Sequence, residues 1–417
     1  MDQNTRSRRV AFLLDNLAGG GAEKVMLNLA HGMAGLGHPV DLLVCKMEGA
    51  LRDKIPENVN LVHLKASTSH LGILCALVAD PATIQYVVKM FIGARKRKLP
   101  GTFRFMPALV DYLKTSQPAG LISALPRTNI NAVLAKRYSG QATRVVVSVH
   151  VNYSFKEQEA QRNSKTEADC LQALVRRYYR QADVVVGVSK GVAENISEYA
   201  GIPRDRVTVV YNPIASPSIH TLARKNTRHP WLESGDLPVI LGIGRFVAQK
   251  NFPLLLRAFA RVREKIPARL ILLGGDESSA EQCLQKEELA EMAVRLGVRD
   301  DFDMPGFVSN PYSYLKRAAL FVLSSRYEGF GNVLVEALLC GCPVVSTDCP
   351  SGPAEILDGG MYGRLVPIDD EAALEDAMRW TLENPPDENF LRARGEEFSI
   401  ENAAECYRSL IFESHAM

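Results

Sequence analysis

The chain has 417 residues, of which 47% are hydrophobic and 23% charged, and carries a formal net charge of +2 at pH 7. That length exceeds one ordinary hydrophobic core and favours two domains, and the composition is that of a soluble globular protein. The near-balanced charge excludes a global nucleic-acid footprint, so any basic patch is local. Cys45, Cys75, Cys170, Cys283, Cys340, Cys342, Cys349 and Cys406 are scattered, with neither a C-x-x-C nor a zinc spacing. This predicts reduced, buried thiols in a cytoplasmic protein.

The opening MDQNTRSRRVAFLLDN sets basic residues before an apolar run too short for a signal-peptide core and ended by an aspartate, so it reads as a first strand, Arg9–Leu14, left unprocessed. Asn16–Gly21 is a glycine loop, and the helix after it has Val25, Met26, Leu29 and Met33 at helical spacing. Gly19, Gly20 and Gly21 let a phosphate or substrate approach backbone amides closely. A dinucleotide fingerprint would need G-x-G-x-x-G, and Lys24 stands where its last glycine belongs, so an NAD reading is weak. Strands follow at Val40–Cys45 and Val59–Leu64.

The stretch from Leu71 to Phe91, LGILCALVADPATIQYVVKMF, is strongly apolar and is followed by Arg95, Lys96, Arg97 and Lys98. Asp80 and Pro81 argue against one membrane-spanning helix. Two short helices with a basic end fit either an anionic membrane surface contacted through 71–98 or an ordinary packed pair with a solvated basic turn; both stay open.

Alternation resumes with a helix at Ala108–Lys114, a strand at Gly120–Ala124, a helix at Ile130–Tyr138 and a strand at Arg144–Val149, the pattern of a parallel sheet covered on both faces. His150 stands just past the carboxyl end of that strand, where open α/β sheets bind ligands; the competing reading is a structural histidine. A long polar helical region, Phe155–Gln181, leads into DVVVGVSKGVAENI, where Ser189 is placed to cap a helix. After a strand at Val207–Tyr211, the segment Pro213–Pro230 is rich in Pro, Ser, Arg and His without periodicity, which predicts the interdomain linker.

The second half opens with a strand, Pro238–Ile243, running into Gly244-Arg245-Phe246 and then Lys250. An arginine fork and a lysine point charge in a strand-to-helix loop suit a diphosphate, although alone such a pair is more often a solvated surface. A strand at Arg269–Leu273, a Gly274-Gly275 turn and a helix at Ala280–Leu296 come next. Phe321–Gly341, FVLSSRYEGFGNVLVEALLCG, then forms a strand, a loop with Gly329 and Gly331, and a helix from Asn332. Glu328 in the loop and Glu336 in the helix can aim two carboxylates at sugar hydroxyls, while the amides of Gly329, Phe330, Gly331 and Asn332 supply donors. The blander account has Glu336 opposing the helix dipole and Glu328 solvated. Pro343–Thr347 adds a strand, Ser351–Glu355 opens a helix, and a last helix near Ala403–Phe412 carries an apolar stripe.

The segment EGFGNVLVE followed by ALLCGCPVVSTDCPSGPAEIL resembles the E-x7-E signature of retaining glycosyltransferases of family 4 (glycosyl transferases group 1). The resemblance covers most of the chain and implies an α/β fold of the GT-B type, two Rossmann-like domains facing across a cleft. It implies residues 1–213 as an acceptor-binding domain, with the helix of 400–417 packing back on it, and 214–399 as the nucleotide-sugar donor domain. Carried over residue by residue, it places Glu328 on donor-sugar hydroxyls, Glu336 on the ribose, and Arg245 and Lys250 on the diphosphate. Backbone groups at Phe307 and Val308 would read the base, Gly329–Asn332 would line the donor, and His150 would approach its sugar. The GGGAEK loop, Gly19–Gly21 included, would face the acceptor side.

The implied activity is retaining transfer of a hexose or N-acetylhexosamine from a nucleotide sugar, UDP being the expected base. The acceptor would be a glycan or lipid-linked glycan in lipopolysaccharide or other cell-surface polysaccharide assembly. The place would be the cytoplasm, either free in it or peripheral on the inner face of the cytoplasmic membrane. No cofactor and no metal is expected, since Arg245 and Lys250 neutralise the diphosphate and the sequence offers no convincing D-x-D element. The alternatives are a sugar-nucleotide epimerase or hydrolase on the same fold and a non-catalytic nucleotide-sugar binding protein.

Overall fold

Short runs of aliphatic, largely β-branched residues build both sheets. The protein, seen here as a computed structural model, is described over residues 8–93, 101–162, 166–276 and 278–413. It divides into two units, one made of Met1–Pro213 with Ile400–Met417 and the other of Ile214–Ser399.

In the first unit the strands are β1 (Val10–Leu14), β2 (Val40–Val44), β3 (Val59–His63), β4 (Gly120–Ala124), β5 (Arg144–Val149), β6 (Val184–Gly187) and β7 (Val207–Val209). They lie in the order β3-β2-β1-β4-β5-β6-β7, and every neighbouring pair is parallel. All residues of β1, β2 and β4 are buried, as strands covered by helices on both faces must be. The strand order reverses between β1 and β4, which opens a crevice at their carboxyl ends.

The helix Gly21–Gly35 buries Val25, Met26, Leu29 and Met33 as its spacing predicts. Ser189 caps the helix Lys190–Ala200 by accepting from the Val192 N–H. The polar stretch read as one helical region is two helices, Tyr153–Arg162 and Thr166–Tyr178, closed by a 3-10 turn at Tyr179–Gln181. The last helix, Ile400–Phe412, belongs to this unit and turns Ala404, Tyr407, Leu410 and Ile411 inward. Its packing explains two glycines. A Cβ on Gly120 would fall 2.7 Å from Ile411 Cδ1, and one on Gly32 would fall 2.8 Å from Ala404 Cβ.

The apolar stretch is broken where its sequence predicts. Helices Ser69–Ala79 and Ile84–Gly93 are separated at Asp80, whose side chain accepts from the Ala82 N–H, from Arg177 Nε and from the Tyr178 hydroxyl. The basic run Arg95–Lys98 lies outside the described residues.

In the second unit the strands are β8 (Val239–Ile243), β9 (Arg269–Leu273), β10 (Phe302–Gly306), β11 (Leu320–Leu323), β12 (Val344–Thr347) and β13 (Arg364–Val366). Their order is β10-β9-β8-β11-β12-β13, again all parallel, with the reversal between β8 and β11. Leu254, Leu255, Phe259 and Val262 of the helix Phe252–Arg263 share a core with Ile240, Leu270, Leu272 and Leu320.

The residues after Pro213 are not an open linker. Pro217–Ala223 and Pro230–Ser234 are helices of this unit, each with proline in its first turn, and Ile219, Ala223 and Leu232 are buried. Asn310 Nδ2 donates to the Leu222 carbonyl and Arg317 to those of Ala223 and Lys225. Helices of 7 and 5 residues are too short to show a period, which is why composition alone reads as loop. The thiol expectation also needs correcting at two places: all eight cysteines are free, but Cys283 is only partly buried and Cys406 is exposed on the final helix.

Candidate functional site

At the β8/β11 reversal two loops are stitched together by hydrogen bonds between segments far apart in sequence. Ser324 Oγ donates to the Lys250 carbonyl at 2.8 Å, the Arg326 N–H to the Gln249 carbonyl at 2.9 Å, and Gln249 Nε2 to the Tyr327 carbonyl at 2.8 Å. Below them Gly244 carries no side chain, and a Cβ there would meet the Lys250 methylenes at 3.1–3.2 Å, so the lysine stem lies over the turn. Gly274, at φ +118°, runs so close that a Cβ would sit 2.1 Å from the Gly244 oxygen. Only glycine fits that crossing.

This framework brings Lys250 Nζ to 2.5 Å from Glu328 Oε1, and Ser325 Oγ donates to the same oxygen at 2.7 Å. The Lys250 and Glu328 side chains are 13% and 9% exposed. A pair this shielded is held by its mutual charge and by the extra hydroxyl donor. The second carboxylate oxygen, Oε2, takes no hydrogen bond among the described residues. Arg245 behaves differently from Lys250. It is exposed, and its guanidinium has no hydrogen-bond or ion-pair partner among the described residues.

The loop after Glu328 is fixed by backbone contact. The Glu328 N–H donates to the Pro350 carbonyl at 3.2 Å. Gly331, at φ +97°, starts the helix Asn332–Leu339. Gly352, at φ +114°, passes where a Cβ would fall 1.9 Å from the Phe330 oxygen. The Phe330 ring is buried edge-on against Phe398, so its side chain packs inward.

Glu336 is buried within the helix, and the Tyr312 hydroxyl reaches its Oε1 at 3.4 Å. Its negative charge, together with burial, holds the Tyr312 phenol above the ordinary range. Burial, and secondarily Glu336, pushes the Cys340 thiol up to about 12. Glu336 is therefore a packed rather than a solvated carboxylate.

Phe307 and Val308 follow the edge strand β10, and the Phe307 ring is 72% exposed. Ser325, Gln249 and Tyr312 belong to the site and were not identified from sequence. Gln249 and Tyr312 gain their places from contacts across 78 and 24 positions, whereas Ser325 meets Glu328 three positions on, and the one local signal is the small polar pair Ser324-Ser325 at the end of a buried strand.

In the first unit the loop after β1 holds Gly19 at φ +102°, with Gly20 at the start of the helix. A Cβ on Gly20 would fall 2.5 Å from Glu23 Oε2, so the protein's own carboxylate lies over the Gly19–Gly21 turn. At the end of β4, Leu125 adopts φ +76°, a strained value for a branched residue that sequence does not reveal. His150 follows β5, is partly exposed, and places Nε2 2.9 Å from Ser148 Oγ. Enough protein surrounds its imidazole for burial to lower its pKa to about 4. Among the described residues no group of three or more His, Cys, Asp or Glu is arranged to hold a metal ion, and no helix is long and apolar enough to cross a membrane.

Two family models match the chain one after the other: Glycosyltransferase Family 4 over residues 19–216 and Glycosyl transferases group 1 over residues 223–398. An N-acetylgalactosamine-N,N'-diacetylbacillosaminyl-diphospho-undecaprenol 4-alpha-N-acetylgalactosaminyltransferase of Campylobacter jejuni is 26% identical over 377 residues, 90% of this chain and 91% of that one. A lipopolysaccharide 1,6-galactosyltransferase of Salmonella typhimurium is 24% identical over 364 residues, 86% of this chain and 85% of that one. Among solved structures, Anabaena HepE in complex with UDP and glucose superposes with a TM-score of 0.71 at 18% identity, covering 96% of this chain and 98% of that one. With a doubly wound parallel sheet in each unit and a matching model for each half, the chain is a glycosyltransferase of the GT-B fold.

Proposed function

We propose that this glycosyltransferase is a retaining enzyme of family 4 that moves a hexose or N-acetylhexosamine from a UDP-sugar to a glycan or lipid-linked glycan in cell-surface polysaccharide assembly. The observation that carries the reading is the shielded Lys250–Glu328 pair at the β8/β11 reversal, where open α/β sheets place ligands. Lys250 is charged and anchored, so a diphosphate arriving at its ammonium gains a charge-assisted contact. Arg245, with an uncommitted fork, adds a second from the exposed side.

As the bond from sugar to diphosphate lengthens, negative charge builds on the leaving group, and these two cations stabilise it more than they do the ground state. In this reading they supply the charge neutralisation, with no cofactor and no metal ion. Glu328 Oε2 accepts from a sugar hydroxyl, Glu336 from the ribose, the Gly329–Asn332 amides donate, and backbone at Phe307 and Val308 reads the base. On the first unit, His150 meets the donor sugar as a neutral ring and Gly19–Gly21 borders the acceptor. The Campylobacter relative, whose name records a diphospho-undecaprenol acceptor, and HepE, whose complex holds UDP and glucose, both support this class of substrates.

A second observation bears on where the reaction takes place. Leu71, Leu74 and Val78 recur at helical spacing on one helix, and Ile84, Val88, Phe91 and Ile92 on the next; all are exposed, Val78 at 61% and Ile92 at 72%. The chain runs on from this apolar face into Arg95–Lys98. Apolar surface followed in sequence by a cluster of cations suits an anionic lipid surface, so in this reading the enzyme docks peripherally on the inner face of the cytoplasmic membrane.

The test is to incubate the purified protein with UDP-hexoses and UDP-N-acetylhexosamines and an undecaprenyl-diphosphate-linked sugar acceptor, and to read the new anomeric centre by NMR. Acceptor-dependent product with the donor's configuration is expected. An inverted product overturns the retaining assignment, and donor loss that ignores the acceptor favours the hydrolase or epimerase alternative.

A further inference from the structure

His150 is tied, through one serine, to the far end of the chain. Ser148, in β5 and fully buried, places Oγ 2.9 Å from His150 Nε2, and the buried hydroxyl of Tyr407 on the helix Ile400–Phe412 donates to the same Oγ at 3.0 Å. Because Tyr407 uses the Ser148 oxygen as acceptor, the hydrogen of the Ser148 hydroxyl needs an acceptor of its own. Among the described residues the one within reach is His150 Nε2. A buried hydroxyl with no acceptor is costly, so Nε2 carries the lone pair and Nδ1 carries the hydrogen.

The base of this relay is itself fixed. Asn129 Nδ2 donates to the Ser148 carbonyl at 3.1 Å and to the Tyr179 hydroxyl at 2.9 Å, and Tyr179 is bonded to the Tyr153 hydroxyl at 2.8 Å. His150 Nδ1 engages no described residue. The ring is thus gripped by one nitrogen and presents the other.

We infer that Ser148 and Tyr407 are positioning residues: they hold His150 as the Nδ1–H tautomer, so that it meets the donor sugar as a hydrogen-bond donor, an inference that rests on the reading that His150 faces that sugar. The final helix then has a functional end as well as a packing face. Side chains held in this way lose little freedom when substrate arrives, which is how a supporting shell raises turnover.

The experiment is a long-range ¹⁵N–¹H correlation spectrum of the full-chain protein with labelled histidine, the His150 signals being assigned by their loss in His150→Gln, combined with transfer kinetics. Wild type is expected to show the Nδ1–H pattern. Ser148→Ala, and more weakly Tyr407→Phe, should shift it toward Nε2–H and lower kcat by about tenfold, with the donor KM unchanged. An Nε2–H pattern in wild type overturns the inference, and so do wild-type tautomer and kcat in both variants. If His150→Gln transfers as fast as wild type while Ser148→Ala still shifts the tautomer, the placement of His150 at the sugar has failed and its positioning residues lose their role, although the hydrogen-bond relay itself stands.

Discussion

One oxygen of Glu328 receives both Lys250 Nζ and Ser325 Oγ, leaving the other for substrate. This division of labour within a carboxylate gives opposite expectations for two variants. Lys250→Ala removes a charge-assisted contact to the diphosphate and should weaken UDP binding by about 2 kcal/mol, roughly thirtyfold. Unchanged affinity in a calorimetric titration would take the lysine out of the site. Glu328→Ala instead frees Lys250 from its partner, so UDP affinity should hold while turnover of the sugar falls; parallel losses of both would contradict the assignment. His150 gives a pH signature. Burial lowers its folded-state pKa from the ordinary 6.5 to about 4, so the folded form resists protonation. Stability from this group is complete above about pH 6.5 and is lost as pH falls toward 4. His150→Gln should therefore flatten the decline in urea midpoint over that window, and identical slopes would show that the imidazole is not desolvated. At this scale the sequence pointed to Lys250, Glu328 and Glu336 because their spacing forms a signature. Gln249 and Tyr312 were invisible because each gains its place from a contact with a residue far along the chain, and Ser325, three residues before Glu328, because a serine at a strand end carries no pattern of its own.

Whole elements were legible where burial dictates composition. The strands β1 and β11 are continuous apolar runs, and β4 and β5 nearly so with one buried serine each, because both faces are covered, and the break at Asp80-Pro81 follows from proline chemistry. The misreading of 213–230 has the converse cause: one or two helical turns started by proline carry no period. Between elements, glycines decide how closely loops approach. Gly352→Ala must place a Cβ 1.9 Å from the Phe330 oxygen at φ +114°, and is expected to lower stability by about 3 kcal/mol. Gly140→Ala, at φ +68° with open space around it, should lower it by only about 1 kcal/mol. Equal unfolding midpoints for the two would refute the proposed contact between the loops. The exposed helices Ser69–Ala79 and Ile84–Gly93 make a separate prediction. Val78→Ser with Ile92→Ser should reduce co-sedimentation with phosphatidylglycerol vesicles at low salt, and undiminished binding would leave the face without a lipid role.

Across the molecule, the same strand order, with a reversal after the first strand of each sheet, recurs in both units. Alternating strands and helices predicted a parallel sheet but not its order, which the resemblance to Rossmann-like domains implied and with which the matches to GT-B structures agree. Substrate identity was less legible, because in the proposed reading base and ribose meet backbone groups and single carboxylates that many nucleotide sugars would satisfy equally. The second unit is proposed to be a UDP-sugar donor site built on Lys250, Glu328 and Glu336. Calorimetric titration of the whole protein with UDP, GDP, ADP and NAD, repeated on Glu336→Ala, tests it most directly. UDP is expected to bind selectively and about tenfold more weakly to the variant, with NAD silent. Binding of NAD alone, binding of no nucleotide, or UDP affinity indifferent to Glu336 would contradict it.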